Sequence, residues 1–195
     1  MKRFLDLLFS IILTIVLSPF MLIISVLILI FDGSPIIFSQ RRVGYNNELF
    51  NIYKFRTMKN GTRQTATADL KEVDSQVTKL GKILRKFSLD EIPQLFNVLK
   101  GDMSFIGPRP LIPQEEKIRE LRKQNNIYSV KPGITGWAQI NGRDNVTMEE
   151  KTLLDKEYVE NKSLKMDAKI VFKTIINVIS SKDFNDSGEP LNKDN

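Results

Sequence analysis

The stretch FLDLLFSIILTIVLSPFMLIISVLILI, residues 4–30, decides how the rest of the chain must be arranged. Across these 27 or so positions the only ionisable side chain is Asp6. A straight helix of that length would be about 40 Å long, against a hydrocarbon core of about 30 Å. A signal peptide would have a shorter apolar run followed by a small-residue cleavage site. Here Asp32-Gly33-Ser34-Pro35 ends the helix instead. Near the midpoint lies Ser18-Pro19. A proline there deletes one backbone hydrogen bond and crowds the preceding turn, so it kinks the helix, and the Ser18 hydroxyl can satisfy part of the freed backbone. Two topologies fit these residues. One is a tilted, kinked spanning helix. The other is a re-entrant hairpin with both ends on one face, which suits the basic residues at both flanks.

Everything after Phe31 reads as a soluble domain. The chain has 195 residues, 27% of them charged, which is too polar for a multi-spanning protein and enough for one cored domain. The formal net charge is +6. Between Ile36 and Arg63, Arg41, Arg42, Lys54, Arg56, Lys59 and Arg63 face Glu48 alone, and Lys79, Lys82, Arg85 and Lys86 form a second cluster. Such clusters suit an anionic lipid surface or a phosphate-bearing substrate. Positive-inside bias explains the first one equally well. No nucleic-acid motif accompanies the charge, so nucleic acid is not an expected partner. The chain has no cysteine and no histidine. That removes disulfides, thiolate nucleophiles, nearly all zinc sites and the commonest general base. Carboxylates lead the remaining candidates for chemistry.

Ile36-Ile37-Phe38 and Phe50-Asn51-Ile52-Tyr53 flank a turn at Gly44 to Asn47 and read as a β-hairpin. Lys59 to Thr78 is polar and reads as a loop. From Lys79 to Lys100 apolar residues recur at helical spacing, with a break around Ser88 to Pro93 and a stop at Gly101. Gln114 to Asn125 reads as a charged, exposed helix. Lys131 to Gly142 reads as strand and loop, with a tight turn against a buried Trp137. Asn145 to Ser180 reads as two helices, the second apolar over more than one face, either as core or as an interfacial surface. From Ser181 there is no pattern, and a disordered tail is expected.

Ser88-Leu89-Asp90-Glu91 admits two compatible readings. As a capping box, Ser88 is the N-cap and Glu91 reaches back to it. As a site, adjacent carboxylates sit at a positive helix end, five residues after Arg85. One carboxylate could attack phosphorus while the other holds Mg²⁺, which commonly takes one or two carboxylates plus substrate phosphates. Arg109, between Pro108 and Pro110, sits on a stiffened turn suited to bidentate phosphate recognition, although a lone turn arginine is more often a solvated surface residue.

Four strings in order carry a resemblance: Tyr53-Lys54-Phe55-Arg56-Thr57-Met58, Ser88 to Leu95, Gly101 to Pro110, and Lys131 to Arg143. The chain resembles the bacterial sugar transferases, and more narrowly the small monotopic phosphoglycosyl transferases, from Ser18-Pro19 to about Ser180. The resemblance implies an α+β, mainly helical fold. A kinked re-entrant membrane helix would occupy 1–32. One cytoplasmic catalytic domain would follow at 33–180, with a small β-hairpin and amphipathic interfacial helices, and a tail at 181–195. It implies transfer of a phospho-sugar from a UDP-sugar to undecaprenyl phosphate with release of UMP, at the bacterial inner membrane. Asp90 matches the aspartate that forms a covalent phospho-sugar intermediate, and Glu91 its neighbour associated with Mg²⁺, or with Mn²⁺ in its place. Arg85 and Arg109 match positions tied to phosphate and nucleotide binding. Lys54, Arg143 and Asp155 fall on motif positions among the substrate-binding candidates. Ser18-Pro19 matches the kink of the family's re-entrant helix, which favours the hairpin. The sugar, the glycan pathway and a homodimer stay open. The two other functions weighed are a membrane-anchored glycosyltransferase that releases UDP and a non-catalytic adaptor for glycan enzymes.

Overall fold

The computed structural model describes residues 1–62, 73–142 and 146–179. Arg143, most of the polar loop at 63–72 and the tail from 180 lie outside the described residues. The first element is one long helix, α1 (Lys2–Phe31), with Pro19 inside it. Pro19 has no N–H to give the carbonyl of Ile15, four residues back. The Ser18 hydroxyl donates to that carbonyl oxygen at 2.8 Å, so the local repair expected from the sequence is present.

The two ends of α1 are held by the same domain. At the N-terminal end, Lys2 Nζ donates to Tyr158 Oη (2.6 Å) and Asp167 Oδ2 (2.7 Å). Arg3 donates to the carbonyls of Val98 and Leu99 at 2.6 and 3.0 Å, on the last turn of another helix. Asp6 is buried and accepts from Ser104 Oγ (3.1 Å) and the Phe105 N–H (3.3 Å). At the other end, Ile24 and Ile28 are buried against Phe55 and Leu84, so the first core cluster crosses the division at 32/33. Each such burial is worth about 1.5–3 kcal/mol. Thr78 Oγ1 donates to Asp32 Oδ2 (2.9 Å), and Arg56 Nη2 bonds the carbonyls of Asp32 and Gly33, both at 2.6 Å. Between the ends, Ile11, Ile15, Val16 and Leu22 are exposed. Among the described residues, α1 alone is long and apolar enough to cross a membrane.

The hairpin is β1 (Ile37–Val43) against β2 (Leu49–Phe55), antiparallel, with Gln40 opposite Ile52. Its turn places Asn46 and Asn47 at positive φ, 51° and 61°, where asparagine is tolerated better than most residues. After α2 (Val73–Gln76), the expected broken helix appears as α3 (Lys79–Lys86), a 3₁₀ turn at Leu89–Glu91 and α4 (Gln94–Lys100). Gly101 ends α4 at φ 94°, the left-handed position that favours glycine. The Asn97 side chain, wholly buried, stitches α4 to β2. It accepts from the Tyr53 N–H (3.0 Å) and donates to the Asn51 carbonyl (2.6 Å).

A second sheet was not foreseen. β3 (Ser104–Ile106) runs parallel to β4 (Gly133–Thr135). A Cβ on Gly133 would strike the backbone of Gly107, so this close approach needs glycine. The segment after β4 is helical, α6 (Trp137–Asn141), and not loop, and Trp137 is half-buried, its indole N–H donating to Glu157 Oε2 at 2.8 Å. α5 (Glu116–Gln124) is polar but not simply exposed, because Ile118 and Arg122 are buried on one face. The two expected helices follow as α7 (Met148–Asn161) and α8 (Leu164–Ile179). On α8, Phe172 and Ile175 are exposed, as are Ile83 and Phe87 of the α3 region, beside Lys82 and Lys86. These faces have the amphipathic character expected of interfacial helices.

Candidate active site

Asp90 and Glu91 stand on the turn between α3 and α4. The chain enters it through Ser88 at φ 54°, a left-handed conformation. In that conformation the Ser88 side chain makes no cap, and its carbonyl accepts the Glu91 N–H at 3.2 Å. The capping box expected here is therefore not formed. A true one opens α7, where Thr147 and Glu150 bond each other's backbone N–H. The consequence is chemical: the Glu91 carboxylate is not spent on a helix end.

It turns instead to cations. Lys54 Nζ, carried by β2, lies 2.6 Å from Glu91 Oε1 and 4.0 Å from Asp90 Oδ2. Arg109 Nη1 approaches the same Glu91 oxygen at 3.5 Å. Burial alone would raise the Glu91 carboxyl, but the pull of Lys54 and then Arg109 outweighs it and holds the pKa at about 2. Asp90 is buried at 7% exposure. Arg85 donates from Nε to Thr57 Oγ1 at 2.9 Å.

Arg85, Asp90, Glu91 and Arg109 line one cavity of about 1150 Å³. The same cavity is lined by Phe9, Ile12 and Leu13 of α1 and by Val171, Phe172 and Ile175 of α8. Charged and apolar side chains thus share one space. Asp155 also lines the cavity, but it is 1% exposed and bonded by Arg122 Nη2 at 2.5 Å. The structure therefore gathers Arg85, Asp90, Glu91 and Arg109 in one place, places Lys54 behind the two carboxylates, and pairs Asp155 with a neighbour.

Several participants were not singled out from the sequence. Arg42, named only within a basic cluster, lines the cavity, and burial and the nearby Arg109 charge lower its pKa to about 10. Arg122 and Asn97 gave no signal beyond their residue type. Asp6 did give one, as the lone charge in an apolar run, and its role proves to be receiving the start of β3.

Among the described residues, no three His, Cys, Asp or Glu side chains gather as a metal site. A hard cation that takes most of its ligands from water and substrate phosphates does not need one. Glu91 fits that use: it is ionised, and both cations approach Oε1, leaving Oε2 as an oxygen ligand.

A domain that grips a long apolar helix, with a cavity joining adjacent carboxylates, arginines and apolar side chains, suits an enzyme acting on an anionic substrate with an apolar part. The comparisons place it. The bacterial sugar transferase family model matches residues 1–181, and the chain belongs to that family. It is 42% identical over 182 residues to "Uncharacterized sugar transferase EpsL" of Bacillus subtilis, covering 93% of this chain and 89% of that one. It is 39% identical to the "Undecaprenyl-phosphate glucose phosphotransferase" of Komagataeibacter xylinus, covering 93% of this chain but 36% of that protein. It is 38% identical to the "UDP-glucose:undecaprenyl-phosphate glucose-1-phosphate transferase" of Escherichia coli, covering 90% of this chain and 39% of that protein. The chain thus spans most of one relative and under two fifths of the other two.

Proposed function

We propose that this chain transfers a phospho-sugar from a UDP-sugar to undecaprenyl phosphate and releases UMP, at the inner membrane of a bacterium. In the first step an Asp90 carboxylate oxygen attacks the phosphorus that bears the sugar. The bond from that phosphorus to the bridging oxygen breaks, and UMP leaves with the electron pair. In the second step a phosphate oxygen of undecaprenyl phosphate attacks the aspartyl phosphorus. The P–O bond to Asp90 breaks, the carboxylate is restored, and undecaprenyl-diphosphate-sugar departs. Arg85 and Arg109 meet the charge on the phosphates, and Lys54 holds the turn that presents both carboxylates. Glu91 would hold Mg²⁺ or Mn²⁺, which supplies neutralisation of the diphosphate when bound.

The observation that carries this reading is the shared cavity, lined by buried Asp90, by Glu91 with its lowered pKa and by apolar side chains of α1 and α8. A water-soluble donor and a lipid tail need both surfaces at one nucleophile. The grip of one domain on both ends of α1 supports a re-entrant helix, with the domain and Lys2 on the cytoplasmic face.

The test is the half-reaction. Purified protein given Mg²⁺ and a panel of UDP-sugars, without lipid, should release no more than one equivalent of UMP with the right donor. It should gain the mass of a phospho-sugar, and undecaprenyl phosphate should discharge the adduct with ping-pong kinetics. Asp90→Asn should give neither adduct nor UMP. Release of UDP would mark a glycosyltransferase, and UMP release that strictly requires lipid would demote Asp90 from nucleophile.

A further inference from the structure

Arg109 reaches Glu91 from a turn whose own carbonyls are held from four directions. Arg122 Nη1, on α5, donates to the Arg109 carbonyl at 2.7 Å. Arg42 Nη1, on β1, donates to the Pro110 carbonyl at 3.3 Å. The Val43 N–H donates to the Leu111 carbonyl at 2.8 Å. The Gly133 N–H, on β4, donates to the Pro108 carbonyl at 3.0 Å. Pro108 and Pro110 have no N–H to contribute, so these four acceptors hold the turn. Of the four bonds, the one from Arg122 ends on Arg109 itself.

Arg122 is 4% exposed, and its other nitrogen is bonded to Asp155 Oδ2. Asp155 in turn sits on α7, at 1% exposure. A guanidinium holds its N–H donors in one rigid plane, so Nη2 can be anchored while Nη1 aims. The same helix holds the rest of the turn: Arg119 Nη1 donates to the Pro113 carbonyl at 2.7 Å, and Glu115, at the start of α5, accepts the Ile112 N–H at 2.8 Å. The backbone at Arg109 is thus tightly held, whereas its side chain is about half exposed and only 3.5 Å from Glu91. That is the arrangement of a fixed arm with a hand able to close on a ligand.

We infer that Arg122, anchored by Asp155, is a positioning residue that aims Arg109 at the donor's phosphates, so that Asp155 serves the reaction through Arg122 and not by touching substrate. The inference rests on the function proposed above, in which Arg109 meets the phosphate charge. Misplacement of such a group by about 1 Å costs on the order of 100-fold in rate. Lysine at 122 keeps the charge but cannot bond the Asp155 carboxylate and the Arg109 carbonyl from one planar group.

The experiment is a double-mutant cycle on UMP release, using the full chain in detergent with UDP-sugar, undecaprenyl phosphate and Mg²⁺. Arg122→Lys alone should lower kcat/KM on the order of 10- to 100-fold. In an Arg109→Ala background, the same change should cost less than about twofold, because the arm no longer carries a hand. Asp155→Asn, assayed below its own lowered melting temperature, should follow the same pattern, and the cycle reads its coupling to Arg109 independently of its stability. Losses that multiply fully in the Arg109→Ala background overturn the inference: Arg122 and Asp155 would then act on substrate directly or on the fold at large. An Arg122→Lys enzyme with unchanged kcat/KM overturns it too. A different result, Arg109→Ala with unchanged turnover, would instead remove Arg109 from the proposed function itself.

Discussion

Glu91 and Asp155 are carboxylates in one cavity, each beside a cation, and the balance between burial and charge falls differently at each. Burial pushes both upward. At Glu91, Lys54 and Arg109 together win, and the carboxyl is held at about 2. At Asp155 the Arg122 guanidinium, with weaker help from Lys151, does not fully offset burial, and the carboxyl stays above its ordinary value. The difference is one of number and freedom. Two cations share one oxygen of Glu91, so its charge is secure while its second oxygen is available. One cation uses Asp155 closely, so that carboxylate is committed to holding α5 against α7. A charge that faces two cations with an oxygen to spare can meet a ligand, and one buried against a single arginine acts through that arginine.

The largest effect expected from this contrast is at Glu91. Glu91→Gln should cut UMP release about 10²- to 10³-fold, the scale of losing one preorganised charge. The melting temperature at neutral pH should fall too, because the depressed Glu91 carboxyl contributes stability that glutamine cannot supply. Excess EDTA should also stop turnover of the unchanged enzyme. A Glu91→Gln enzyme with full activity would break the comparison at its catalytic end.

Lys54→Met sharpens it. Without that ammonium, Glu91 keeps only a partly exposed Arg109 at 3.5 Å, and burial should lift its carboxyl to its ordinary 4.5 or beyond. The acid limb of kcat/KM should then move up by about one pH unit or more. The linkage has a definite sign. A depressed carboxyl adds stability above its ordinary pKa of 4.5 and loses it as pH falls toward about 2. Lys54→Met should erase that acid-side stability, which melting curves between pH 3 and 6 would show.

How much of this could be read beforehand depended on how local each feature is. The hairpin, the break at Ser88 to Pro93 and the last two helices follow from apolar spacing and turn residues, which act over a few positions. Ser18 repairing the gap left by Pro19 is local as well, a bond to the carbonyl three residues back. β3 and β4 have three residues each, too short to show a period of two, and a pairing between Ser104 and Gly133 leaves no pattern in either segment. Arg122 looked like one more surface charge on a polar helix, because its burial is decided by Asp155, 33 positions away. The Ser88 cap failed for a related reason. Lys54 and Arg109 compete for the Glu91 carboxylate, and neither is close in sequence. Asp90 and Glu91 stood out as adjacent carboxylates at a helix start, and the family resemblance is what set a site above a cap there.

Asp155→Asn should show first in stability, where Glu91→Gln shows first in metal-dependent turnover. Removing one partner of a buried ion pair strands the other, at about 3–5 kcal/mol, and asparagine retains an acceptor, so about 2–4 kcal/mol is expected. The protein should melt well below the unchanged one, with its metal requirement intact. A melting curve that matches the unchanged protein would mean that the Arg122 pair contributes nothing to the fold.

The smallest effect is expected at Lys151, the weaker cation near Asp155. Lysine-to-methionine there removes a charge that only partly offsets burial, so the Asp155 carboxyl should rise further. A carboxyl raised in the folded state contributes stability that is complete below its ordinary pKa of 3.8 and declines as pH climbs through the raised value. Lys151→Met should therefore match the unchanged protein near pH 3.5 and fall behind it as pH increases, by less than about 1 kcal/mol at neutrality. Because Lys151 is partly exposed, added salt should narrow the gap, with a screening length near 8 Å at about 0.15 M. Melting temperatures across pH at two salt concentrations would measure this. A loss as large as that of Asp155→Asn would show that Asp155, like Glu91, depends on two cations, and the distinction between the two carboxylates would then rest on their reach alone.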